Sequence, residues 1–172
     1  LNCGCVAVSP SDLAVALIAL GAKVKIVGPS GERVVPVEDL YVTPRPLIEQ
    51  DELLTEVFVP AVPETAMQAF SKFRLRSSVD FAMVSLALMV SVKDGVCEDA
   101  RIVLGAVSPR PIRAASAEKA IRGKRINTEV IEAVAEAIVE GASPLSMNAY
   151  KLQILKKLIK DSLWDMAIGC GK

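Results

Sequence analysis

The 172-residue sequence predicts an α+β protein, and three observations carry that reading. Short segments rich in β-branched residues fill most of the chain up to residue 107. After residue 113 the apolar residues recur at helical spacing instead. The Gly and Pro punctuation between the strand-like segments leaves only short connections, which join antiparallel strands and are too short for parallel crossovers.

Each element has a local reason. Ser9-Pro-Ser-Asp12 is a helix-start signal ahead of Leu13-Ala-Val-Ala-Leu-Ile-Ala-Leu20, and Gly21 is a stop. Lys23 to Val27 alternates as a strand, Gly28-Pro-Ser-Gly31 turns, and Arg33 to Val37 returns, which predicts a hairpin. Residues 41 to 51 carry Pro44 and Pro46 and read as a loop; Leu53 to Val59 is a further strand, stopped by Pro60 and Pro63. That Pro-bounded segment divides the chain into expected domains at 1–62 and 63–172. In the second part, strands are predicted at about 66–76, 80–92 and 97–107, forming a three-stranded antiparallel meander. Helices follow at Ala114 to Arg122, Thr128 to Glu140 and Asn148 to Trp164, packed on one sheet face.

Composition excludes several kinds of chemistry. Histidine is absent, which removes Ser-His-Asp and Cys-His catalysis, His-ligated zinc and the commonest general base near neutral pH. Twenty cations balance twenty acids and aromatics make up 4%, so neither a basic face nor stacking platforms for nucleic acid are expected. The four cysteines, Cys3, Cys5, Cys97 and Cys170, lack zinc-finger spacing. With so much apolar sequence a disulfide framework is not needed, and a reducing, cytoplasmic setting is expected. No stretch is long enough for a membrane span. The chain begins at Leu1 and reads as part of a longer polypeptide.

The most distinctive segment is Lys72-Phe-Arg-Leu-Arg-Ser-Ser-Val-Asp-Phe-Ala82, beside the apolar run Met83 to Val92. If it is extended, Lys72, Arg74 and Arg76 share one face, while Phe70, Phe73 and Leu75 serve the core. Such a face suits an anionic or electron-rich planar ligand, or is simply a solvated strand surface.

That segment falls within an ordered set of matches. Ser9 to Ala22, Asp51-Glu-Leu-Leu-Thr-Glu-Val-Phe-Val-Pro60, Lys72 to Ala82, Asp99 to Arg113, Ala117-Glu118 and Gly123-Lys124 come in one order. Together they resemble the flavoprotein subunit of molybdenum hydroxylases: xanthine dehydrogenase, aldehyde oxidoreductase, carbon monoxide dehydrogenase and 4-hydroxybenzoyl-CoA reductase. The resemblance implies residues 1–62 as the remnant of an FAD-binding α+β domain, and residues 63–172 as the flavoprotein C-terminal domain. It further implies an oxidoreductase component in which FAD passes electrons between iron-sulfur clusters and an external acceptor or donor. The implied partners are a molybdenum-binding large subunit and an iron-sulfur small subunit. No residue of this chain is assigned a catalytic role.

The resemblance also implies particular residues. Asp12 matches a family acid that hydrogen-bonds the flavin ribityl or nearby groups; by its position it is equally a helix N-cap carboxylate. Leu54 matches an apolar residue packed on the isoalloxazine, its alternative being an ordinary core position. Lys72, eight residues before Asp80, matches a lysine near the flavin pyrimidine edge, where a cation stabilises charge on the reduced ring. Arg76 and Asp80 are neighbours of that site, or a pair that fixes the local turn. Cys5, close before the Asp12 helix, resembles the last ligand of a four-iron cluster in some members, with Cys3 as its only nearby companion; free cysteines near a terminus are the alternative. Family members also carry glycine-rich loops that hold the FAD pyrophosphate, whereas residues 1–10 contain only Gly4. The implied FAD site is therefore completed by a region N-terminal to this sequence. The other reading is a docking or structural module of such a complex, unable to bind FAD alone.

Overall fold

The computed structural model describes residues 7–41, 47–77 and 79–169. Helix α1 (Asp12–Ala19) is followed by strands β1 (Lys23–Gly28) and β2 (Gly31–Pro36), a short 3-10 turn at Val37–Tyr41, and strand β3 (Leu53–Phe58). Strands β4 (Ala66–Phe73), β5 (Val84–Lys93), β6 (Val96–Gly105) and β7 (Ile112–Arg113) come next, then helices α2 (Ala115–Ile121), α3 (Thr128–Ala137) and α4 (Tyr150–Gly169). The α+β class expected from the pattern is present, with two sheets ordered β2-β1-β3 and β4-β5-β6-β7. Every pairing is antiparallel.

The second sheet has four strands where three were expected. The extra strand, β7, is two residues long and pairs Ile112 with Leu104 and Arg113 with Val103. Pro109 and Pro111 make the preceding stretch read as loop, and a two-residue strand leaves no alternation to detect.

Strand β5 explains how the layers are assembled. Its first eight residues, Val84 to Ser91, are all buried. A strand facing solvent on one side would alternate, so both of its faces must be covered. Leu86, Leu88 and Val90 join Ile102, Leu104, Ile121, Ile131, Ile159 and Leu163 in a cluster with α2, α3 and α4. Ala87 and Val103 face the other way and pack with Val15, Ile18 and Ala19 of α1. The expectation of helices on one sheet face thus needs enlarging, because α1 covers the opposite face. Gly105 permits this approach: a Cβ there would lie 2.6 Å from Val15 Cγ2 and against Ser85 Oγ.

The first sheet is less covered. Val24 and Ile26 of β1 are buried in the α1 cluster, whereas all six residues of β3 are exposed. Leu53, Leu54, Val57, Phe58 and Val59 form an open apolar strip there.

Candidate functional site

The site begins at the N-terminus of α1. Ser11 Oγ accepts a hydrogen bond from Ala14 N at 3.1 Å, the cap predicted for this Ser-Asp sequence. Capping fixes the first turn and places Asp12 within it, where a carboxylate also complements the positive end of the helix dipole. Asp12 Oδ2 lies 2.6 Å from Lys72 Nζ on β4. These two residues are 60 apart in sequence, and the packing of α1 on the second sheet brings them together. Asp12 Oδ1 is enclosed by protein and receives no hydrogen bond. An enclosed acceptor without a donor marks a place where a partner group is missing.

Arg76 and Asp80 form the neighbouring pair. Arg76 Nε and Nη2 donate to the two carboxylate oxygens at 3.0 and 3.1 Å, and Phe81 N donates to Asp80 Oδ1 at 2.9 Å. The Arg76 guanidinium holds the Asp80 carboxyl below its ordinary range, with the Lys72 charge adding to the effect. Arg76 and Asp80 line an open cleft of about 380 Å³ together with Leu75, Phe81 and Met83.

The geometry corrects one expectation about this segment. Lys72, Arg74 and Arg76 do not project from one strand face, because β4 ends at Phe73. Met83 N donates to Phe73 O at 2.8 Å, and residues 74–77 and 79–82 lie outside the strands. Side-chain bonding by Asp80 to its own loop competes with continued pairing, so Arg76 turns toward Asp80. Phe73 and Leu75 are correspondingly exposed rather than in the core, as is Phe70.

Leu54 stands apart from these residues, on the edge strand of the other sheet. It pairs with Ile26 and is 41% exposed, so the ordinary core position is ruled out. Cys3 and Cys5 lie outside the described residues, as does Cys170. Cys97 is buried, and burial pushes its thiol up to about 11, which makes it a poor nucleophile or metal ligand. No cluster of three or more metal-ligating side chains occurs among the described residues.

One residue of the matched segments has a role that sequence reasoning did not assign. The Glu118 carboxylate, 4% exposed, accepts from Ile102 N at 2.9 Å and from Arg113 Nε and Nη2 at 3.0 and 2.7 Å. It ties α2 to β6 and β7, so the Ser108 to Glu118 segment is a structural clasp here. A charged residue at a buried helical position was the available signal: Ala117, Glu118 and Ile121 share the inner side of α2.

The fold is that of an α+β chain with two antiparallel sheets, and comparison with known proteins places it in a family. The chain belongs to the family of CO dehydrogenase flavoprotein C-terminal domains, whose model matches residues 68–165. Residues 4–62 match the FAD binding domain in molybdopterin dehydrogenase. Among curated relatives, a xanthine dehydrogenase FAD-binding subunit of Escherichia coli is 24% identical over 97% of this chain and 59% of its own length. The carbon monoxide dehydrogenase medium chain of Hydrogenophaga pseudoflava is 29% identical over 85% of this chain and 52% of its own. The crystal structure of quinoline 2-oxidoreductase from Pseudomonas putida superposes with a TM-score of 0.81 at 27% identity, covering 95% of this chain and 58% of that one. The chain therefore spans little more than half the length of the relatives it matches.

Proposed function

We propose that this chain is part of an FAD-binding electron-transfer subunit of a molybdenum hydroxylase-type oxidoreductase. In this reading it works with a molybdenum-binding large subunit and an iron-sulfur small subunit, and passes electrons between iron-sulfur clusters and an external partner. The observation that carries the reading is the Asp12–Lys72 pair at the α1 N-terminus, with Asp12 Oδ1 lacking a donor. The match of residues 4–62 to an FAD binding domain supports it.

The residues present fit a flavin. Asp12 Oδ1 accepts from a hydroxyl or ring N–H, and Lys72 supplies a cation held in place by Asp12 Oδ2. Lys72 is 20% exposed, so its charge is only partly screened by water. Arg76 and Asp80 fix the loop beside it, and Phe81 and Leu75 give the adjoining cleft an apolar wall. When bound, FAD supplies hydride and single-electron transfer. Leu54 and the strip around it are where an apolar ring face or a neighbouring segment would pack. An FAD pyrophosphate requires backbone N–H donors of its own, apart from Asp12 and Lys72.

Flavin titration is the direct test. The full-length protein should bring up a bound-flavin visible spectrum and quench FAD fluorescence, and Lys72→Ala should lower the flavin potential by about 30 mV. An unchanged potential removes the role given to Lys72. The second reading, a docking or structural module, is favoured by the exposed β3 strip. It takes over if the full-length protein binds no flavin but still assembles with its partner subunits.

A further inference from the structure

A second concavity has neither Asp12 nor Lys72 in its lining. It opens on the helical side of the second sheet, between β6, β7 and the three C-terminal helices, with a volume of about 610 Å³. Small-ligand sites occupy about 300–1,000 Å³ and combine apolar walls with a few converging polar groups. Here Leu104, Val107, Ile112 and Ile138 supply apolar wall.

Two polar residues, Asn148 and Lys151, line it one turn apart. Lys151 N donates to Asn148 O at 3.1 Å, so the two side chains belong to the turn that opens α4. Lys151 Nζ donates to Ala106 O at 2.7 Å, where Ala106 has a left-handed φ of 60°. An ammonium has three donors, and this bond uses one. Lys151 makes no ion pair with a carboxylate among the described residues. Glu118, the buried acid of the clasp, is already engaged by Arg113, and Glu140 in the cavity lining is exposed. Burial pushes the Lys151 ammonium below its ordinary value, the sign of a positive charge without a counterion. Asn148 Oδ1 is enclosed and has no donor. An enclosed acceptor left unmatched in this way calls for a donor from a ligand or water.

We propose that this cavity binds a small apolar carboxylate that also carries a hydroxyl or N–H donor. Lys151 pairs with the carboxylate, Asn148 Oδ1 accepts from the donor, and the apolar body fills the space between β6 and α3. The site shares no lining residue with the Asp12–Lys72 pair, so its outcome is separate from the flavin reading.

Phenyllactate has the required carboxylate, hydroxyl and apolar body, and serves as the probe in calorimetric titration of the full-length protein. Saturable binding is expected, weakened about tenfold or more in Lys151→Met. Phenylpropanediol, which lacks the carboxylate, should bind far more weakly, and phenylpropionate, which lacks the hydroxyl, should fall between. Lys151→Met also releases the Ala106 anchor, so Ser116→Phe provides a second variant that blocks the cavity from an exposed wall position without touching that anchor. It should keep the wild-type melting temperature and lose binding. Absence of saturation up to roughly 10 mM, equal binding of the diol, or undiminished binding by Ser116→Phe would overturn the proposal.

Discussion

Lys72 and Asp12 show how much one side chain's meaning depends on its partner. Alone, each has an ordinary explanation, as a strand lysine and an acid in the first turn of a helix that Ser11 caps; at 2.6 Å they form a polar pair with one unmatched oxygen. Glu118 is the contrasting case, a fully matched buried carboxylate. Glu118→Ala leaves Arg113 and Ile102 N–H without their acceptor, and should destabilise the fold by about 3–5 kcal/mol in chemical denaturation. Two further acids should respond to pH. Arg33 binds Glu52 and lowers its pKa to about 2, and Arg76 lowers that of Asp80. A carboxyl depressed in the folded state contributes stability that is present above its unfolded value and is lost as pH falls through its folded value. Glu52→Gln should therefore weaken the protein at neutral pH, with the difference from wild type shrinking between about pH 5 and pH 2. Denaturation curves at several pH values check this, and a constant difference would count against the pairing.

At the level of elements, α1 and β5 set the arrangement. The uninterrupted burial of β5 exists because α1 covers one face and α2 to α4 the other. Gly105 is the contact point on β6. Gly105→Ala forces Val15 or Ser85 aside, and should destabilise by about 1–3 kcal/mol through overpacking. Because α1 also carries Asp12, the same substitution should lower flavin affinity in the full-length protein, whereas a surface change such as Val57→Thr on exposed β3 should alter stability by less than about 0.5 kcal/mol. Melting curves combined with flavin titration separate the two effects.

For the whole molecule, the consequence is that the two sheets are not independent. Val24 and Ile26 from the first sheet and Ala87 and Val103 from the second share one cluster with α1. Urea unfolding followed by circular dichroism and by the fluorescence of the single tryptophan, Trp164, should give coincident transitions. Separated midpoints would show that the α1 cluster does not couple the halves. No helix among the described residues is long and apolar enough to cross a membrane.

The element order, the caps and the α+β class follow from local chemistry, and the sequence was sufficient for them. Ser11 caps α1 and Asn127 caps α3 through side-chain bonds spanning three residues, and such contacts are written in neighbouring letters. The ordered matches from Ser9 to Lys124 likewise carried the family. The fourth strand, the loop that ends β4 at Phe73 and the exposure of Leu54 were not legible, because each depends on what packs or pairs from elsewhere in the chain. The Asp12–Lys72 contact belongs with them: separation in sequence carries no distance, and only the seating of α1 on β5 and β6 brings that acid to that cation.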